Sequence, residues 1–338
     1  MAEACGFELA GVARPSPAEG RNHYRAWVEA GFAGEMRYLT DHRAAMRDDP
    51  RTLLPSARSV ISVGKLYNTP QLYSTRFDAA ELAWISRYAW SEDYHRVLRR
   101  GLRRLQAALR EDIGTPFESR ICVDIAPLLE REYARLAGLG WIGKNTCLIN
   151  QPRGSWFVLG ELLVSLEVEA DAPPPDRCGT CRRCIDACPT QAIVPLGDRY
   201  AVDSRLCISY LTIELRGSIA EERRTGNGGH VFGCDICQDV CPWNARAPVT
   251  ADPVFHPRMV TPPLERLAAL SELEFRDLFA STPVSRARYT GFLRNVAVAM
   301  GNRALPQFRP ALEKLARSED AVVAEHAQWA LGRLAQSG

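Results

Sequence analysis

Long apolar runs are missing from this chain. Its longest, Trp156 to Val168, is broken by Glu161 and Glu167 and is too short to cross a bilayer as a helix. Residues 1–10 carry two glutamates and no basic segment, so no export signal and no membrane anchor are expected. A cytoplasmic protein with reduced thiols is the reading that follows. Histidine is scarce, at six in 338 residues, which leaves little material for a histidine-built metal centre. The radical-generating arrangement, three cysteines spaced three and then two residues apart, occurs nowhere. A net charge of +2 does not by itself mark a nucleic-acid binder. The apolar fraction of 46% is that of an ordinary globular protein, and the length gives room for two or three domains.

Cysteine is what the chain does have, and eight of the eleven fall between Arg177 and Asn244. The first group, RCGTCRRCIDACP, spaces Cys178, Cys181 and Cys184 two residues apart and ends on Cys188 before Pro189. The second is Cys207 and then GCDICQDVCPWN, giving Cys234, Cys237 and Cys241 before Pro242. In a ferredoxin-type run three thiolates so spaced converge on one cubane, while the cysteine before proline reaches the other cluster. Two 4Fe-4S clusters are therefore expected, one on Cys178, Cys181, Cys184 and Cys241, the other on Cys188, Cys207, Cys234 and Cys237. The 26 residues between Cys207 and Cys234 depart from the regular spacing, but the ligand count still closes. Disulfides and zinc are the competing readings. The missing export signal argues against the first, and the proline-terminated spacing against the second. Cys5, Cys122 and Cys147 read most simply as small core residues.

Ahead of the cysteines the pattern is mixed. Short β-branched runs, Ser59 to Val63 and Phe157 to Leu166, alternate with helical stretches, Tyr94 to Leu109 and Leu128 to Ala137, which suggests an α/β domain over residues 1–168. EADAPPPDR, Glu169 to Arg177, reads as a linker, since three successive prolines continue neither a helix nor a central strand. It opens a double-cluster domain over 169–250. Residues 251–338 turn helical, and RNVAVAMGN at 294–302 can be laid over EHAQWALGR at 325–333, which suggests a short HEAT-like repeat with a helix over about 307–317 between.

Several signals have two readings. GLGWIG, with Gly138, Gly140 and Gly143, matches a dinucleotide fingerprint, but a helical stretch leads into it, so a helix stop and tight turn is preferred. Asp124, between apolar neighbours in ICVDIAPLLERE, is either an acid whose raised pKa keeps it protonated or an N-cap for a helix near Pro127. His95 reads as an ordinary surface position. Arginines gather at Arg99, Arg100, Arg103 and Arg104, at Arg216, Arg223 and Arg224, and at Arg286, Arg288 and Arg294. They are either solvated faces or, if they converge, phosphate contacts for a folded RNA.

Taken together, ARSVISVGKLY, RYAWSEDYH, VDIAPLLERE, GLGWIGKNT, the double cysteine run, LCISYLTIELRG and GCDICQDVCPWN resemble the epoxyqueuosine reductase family over nearly all of the chain up to about Asn244. The resemblance implies an α+β or α/β multidomain protein with a cobalamin-binding α/β domain, a ferredoxin-like domain with two 4Fe-4S clusters, and C-terminal HEAT-like helices. It implies reduction of epoxyqueuosine to queuosine at the wobble position of tRNA, by a monomer fed from an external flavodoxin- or ferredoxin-type donor. Asp124 takes the position of the family's proton donor. Arg58, Tyr94, Lys144, Asn145, Ser209, Arg216 and Asp235 match its corrinoid-binding segments. The expected order of events is electrons entering at the Cys178 cluster, passing to the Cys207 cluster and then to cobalamin, which attacks the epoxide while Asp124 protonates the departing oxygen. Two rival functions are a cobalamin-dependent reductive dehalogenase and a ferredoxin-type electron-transfer module without corrinoid.

Overall fold

The computed structural model describes residues 1–77 and 79–336, so the last two residues of the expected helical tail lie outside it. Its main sheet is built from β1 (Leu9–Ala13), β2 (Ser59–Leu66), β7 (Phe157–Val164) and β4 (Ser119–Cys122), in that spatial order. Every pairing is antiparallel. The domain is therefore helices laid on an antiparallel sheet, rather than alternating βα units.

Both faces of the sheet are covered, which is why β2 is buried along its whole length, Ser62 and Lys65 included. Ile61, Val63, Leu162 and Val164 point to one side and pack on Leu98, Leu102 and Leu105 of helix α2 (Tyr94–Ile113). Val60, Leu66 and Leu163 point to the other, against Tyr133 and Ala134 of α3 (Glu130–Leu136). A Cβ on Gly11 of β1 would lie 1.9 Å from the Ala137 carbonyl oxygen, so glycine is required where this strand meets the end of α3. Gly138, at φ +79°, then stops that helix, and β5 (Trp141–Ile142) turns back on β6 (Leu148–Ile149). GLGWIG is thus a helix stop and hairpin.

The cysteine segment forms a second layer. Its hairpin β8 (Ile193–Leu196) and β9 (Arg199–Val202) leans on helix α1 (Gly20–Glu29), where the Trp27 indole donates to the Val202 carbonyl at 2.8 Å. Residues 169–177 form neither helix nor strand, and their Asp171 accepts from the Val12 N–H at 2.8 Å. Strand β10 (His230–Phe232) pairs in parallel with β3 (Trp84–Ile85), locking the cysteine segment to the first layer.

The tail folds as α5 (Arg288–Arg303), α6 (Arg309–Leu315) and α7 (Ala321–Gln336). Where the two similar segments face each other, a Cβ on Gly301 would meet Ala330 at 2.8 Å, so the small residues there allow close helix contact. Composition suggested a boundary near residue 250, yet one apolar core runs through Trp84, Trp90, Ile213, Phe232, Phe292 and Val323. Arg294, expected among the candidate RNA contacts, is buried in that junction. Its guanidinium donates to the carbonyls of Leu215 at 2.9 Å, Gly217 at 2.6 Å and Leu211 at 2.5 Å. Arg224 is buried as well, and pairs with Glu325. Both are structural. Among the described residues, no helix is long and apolar enough to cross a membrane.

Candidate active site

The eight cysteines separate into two sets. Cys178, Cys181, Cys184 and Cys241 line a cavity of about 310 Å³ together with Arg177, Arg183 and Trp243. Cys188, Cys207, Cys234 and Cys237 line a larger cavity of about 870 Å³. Cys241 feels Cys147 as well as Cys178 and Cys184 of its own set, while Cys234 feels Cys207 and Cys188. The chain crosses between the sets at each cysteine that precedes proline, which is how ferredoxin-type ligands are shared. All eleven cysteines are free, and among the described residues no three His, Cys, Asp or Glu side chains close on one point as a zinc site needs. The sulfurs surround cavities instead.

Cys147, expected to be an inert core residue, lines the larger cavity, and its thiol contacts that of Cys237. It belongs to a loop, Gly143 to Cys147, that touches both cysteine sets. Lys144 donates to the carbonyls of Gly179 at 2.7 Å and Cys181 at 3.0 Å, and Asn145 donates to the Cys237 carbonyl at 3.3 Å. Further along, Asn244 of the CPWN segment accepts from the Ser155 N–H at 2.7 Å and donates to the Gln238 carbonyl at 2.8 Å. These contacts hold the cysteine layer against the sheet layer.

The larger cavity reaches from the Cys207 set to Asp124, whose side chain is 37% exposed at its mouth. Asp124 follows β4 with φ +52°, a conformation non-glycine residues rarely adopt and one that recurs at functional sites. It is not an N-cap, because α3 begins six residues later with Leu129 at the cap position. Nor are its spatial neighbours apolar. His95 Nε2 lies 2.8 Å from Asp124 Oδ2, and His95 Nδ1 lies 2.7 Å from Asp93. Tyr94 stacks on the imidazole at 4.2 Å between ring centroids and also hydrogen-bonds Asp124. Arg286, from the segment just before α5, sits 3.8 Å from Asp124 and is held by Glu214 at 2.6 Å and the Tyr38 hydroxyl at 3.2 Å.

These neighbours reverse the expected ionisation. Burial acts to raise the pKa of Asp124, but the hydrogen bond and charge of His95, with Arg286 and Tyr94, outweigh it and bring the pKa below the ordinary carboxylate value. For His95, burial acts to lower the pKa, and the bonds from Asp124 and Asp93 outweigh it and raise it to about 9. At neutral pH the available proton therefore resides on the imidazole, between two carboxylates. Asp124 is charged there. Along the chain His95 reads as a surface position because its partner Asp124 lies 29 residues away; Asp93, two residues before it, is the local signal.

The remaining expected residues divide. Ser209, Lys144 and Asn145 line the larger cavity, and the Ser209 hydroxyl bonds Cys207. Tyr94 is beside Asp124, behind the lining. Asp235 does not reach the cavity: it is buried and accepts from Trp84 at 3.2 Å, Ser86 at 2.5 Å and the Arg87 N–H at 2.8 Å. Arg216 is also off the cavity wall, donating to the carbonyls of Ile213 at 3.1 Å and Arg286 at 2.9 Å. Arg58 is remote, mostly exposed and paired with Glu167 at the outer end of β2.

Two cysteine quartets, with an imidazole–carboxylate pair at the far end of the second one's cavity, define an iron–sulfur oxidoreductase. The comparisons narrow this. A model described as "4Fe-4S double cluster binding domain" matches residues 177–244, and one described as "Epoxyqueuosine reductase QueG, DUF1730" matches residues 47–125. The epoxyqueuosine reductase of Xanthomonas campestris pv. campestris is 40% identical, with 98% of this chain and 94% of that protein covered. A crystal structure of epoxyqueuosine reductase with an epoxyqueuosine-modified tRNA-Tyr stem loop superposes with TM-score 0.90 at 28% identity, covering 98% of this chain and 88% of that one. The enzyme from Bacillus subtilis, solved with its aspartate-bearing catalytic loop swung out of the active site, matches with TM-score 0.88 at 27% identity and the same coverage. The chain belongs to the epoxyqueuosine reductase family.

Proposed function

We propose that this protein reduces epoxyqueuosine to queuosine at the wobble position of tRNA in the cytoplasm. One observation carries the reading: a single cavity joins the Cys188, Cys207, Cys234 and Cys237 sulfurs to the His95–Asp124 pair. Removal of an epoxide oxygen as water takes two electrons and two protons, and iron–sulfur clusters pass electrons singly. The quartets of Cys178, Cys181, Cys184, Cys241 and of Cys188, Cys207, Cys234, Cys237 are the ligand sets of two 4Fe-4S clusters.

Between the second quartet and Asp124 the space, about 870 Å³ and open at its mouth, is near the upper end for ligand cavities and suits a planar macrocycle. Cobalamin fits there, with Ser209 and Asn145 on the cluster side and Tyr88 and Leu128 on the wall. When bound it supplies a reduced cobalt centre that can act on carbon. The protein does the rest. His95 holds the proton, Asp124 orients the imidazole and stabilises its charge, and Arg286 steadies Asp124.

Arg177, Arg182 and Arg183 are exposed around the first quartet and offer a basic docking face to an acidic donor of flavodoxin or ferredoxin type. Arg131 lines the cavity and Arg286 stands beside Asp124, where a splayed anticodon loop would present its base, and Arg288 is exposed two residues further on. The α5–α7 unit is HEAT-like and supports that rim. The test is nucleoside mass spectrometry on a modified stem loop incubated with reduced, cobalamin-loaded protein. Loss of one oxygen from epoxyqueuosine is expected, and unchanged epoxide with both clusters and cobalamin present would overturn the reading.

A further inference from the structure

Two carboxyl groups under the catalytic loop take no part in that mechanism. Glu161 lies in the middle of β7 with no exposed surface, and neither of its carboxyl oxygens has a hydrogen-bond partner. Its cross-strand neighbours are Ser62 and Cys122, on the sheet face that α3 covers. The Ser62 hydroxyl is likewise buried without a partner. Glu130 opens α3 over this row, lines the larger cavity, accepts the Asp124 N–H and lies within the field of Glu161. Among the described residues, the charged and titratable groups that face Glu130 include Asp124, Arg131, His95 and Tyr94, and those that face Glu161 include Glu130 and the Cys122 thiol.

We propose that Glu130 and Glu161 form a proton store beneath the catalytic loop, from which Glu130 recharges the His95–Asp124 pair after that pair has given its proton to the substrate. The idea rests on the function proposed above. In the recharging step the O–H bond of the Glu130 carboxyl breaks and an N–H bond on His95 forms again; no electron moves, and Glu130 regains its proton from Glu161 or from water in the cavity it lines. Two carboxyl groups within each other's field, one wholly removed from solvent and without a hydrogen-bond partner, do not ionise together. Burial, and then the charge of Asp124, pushes Glu130 up to about 8. Burial, and then Glu130, pushes Glu161 well above the ordinary carboxylate range. One acid with two proton demands per turnover would otherwise have to refill from bulk solvent through a mouth covered by RNA.

The experiment has one arm that needs no turnover. Infrared difference spectroscopy of the resting full-length protein, in water and in deuterium oxide, should show the carbonyl stretch of protonated carboxyl groups at neutral pH, and Glu161→Gln should diminish it. In the second arm, Glu130→Gln should lower kcat by about tenfold or more, with KM for the stem loop unchanged. It should also move the upper limb of the pH profile away from about 8. Absence of the carboxyl band from the wild-type protein, or a pH profile that is the same in wild type, Glu130→Gln and Glu161→Gln, would overturn the proposal. A wild-type protein that shows the band yet leaves epoxyqueuosine untouched would instead sink the function on which the proposal rests.

Discussion

His95 and Asp124 show how much a residue's chemistry depends on what faces it. An aspartate flanked in sequence by valine and isoleucine invites the reading of a protonated acid, yet in the fold an imidazole and a guanidinium face it and favour its charge. Asp124→Asn should lower turnover by about 10²- to 10⁴-fold, the usual effect of removing a group from acid–base catalysis. Its checks are single-turnover reduction of a modified stem loop and retention of both clusters. The pair also has a stability signature. Because the pKa of His95 in the folded protein, about 9, exceeds the ordinary 6.5, its stabilising contribution is fully present below about pH 6.5 and is lost as pH rises through about 9. The difference in Tm between wild type and His95→Gln should therefore shrink across that window, and a constant difference would contradict the charge assignment.

At the scale of elements, the placement of the catalytic loop depends on α3, which in turn depends on β1. Gly11→Ala puts a methyl group against the Ala137 carbonyl, and should cost about 1–3 kcal/mol in stability. Activity should fall with it, since Glu130 and Asp124 move with the helix; thermal unfolding and turnover on the same sample test both. In the cysteine layer, the proposed assignment of one cluster to each quartet requires that Cys207→Ala lower the iron content by about half. The EPR signal of the cluster on the Cys178 set should persist. An unaltered iron count would show that Cys207 is not a ligand.

The whole molecule is held by junctions that composition does not reveal. Arg294 bridges three backbone carbonyls of the cysteine layer from the first turns of α5, and Arg294→Met should destabilise the protein by about 2–3 kcal/mol in denaturant unfolding. It should leave the salt dependence of tRNA binding unaltered. Arg288, exposed at the start of α5, behaves oppositely: Arg288→Ala should reduce the slope of log affinity against log salt by about 0.7 and leave stability nearly unchanged.

Much was legible before any coordinate. Cysteine spacing is local, so the double-cluster run could be read directly, and the runs around Ser59, Tyr94 and Phe157 folded as the strand, helix and strand their periodicity suggests. What tertiary structure alone decided is which side chains share a space: Asp235 turned away into the core, Arg58 at the far end of its strand, Cys147 drawn to Cys237, and Glu161 buried opposite Glu130. Ligand spacing and backbone periodicity are set by neighbours along the chain. Ionisation and cavity walls are set by groups brought together across it, 29 residues apart for His95 and Asp124 and more than a hundred for Arg286.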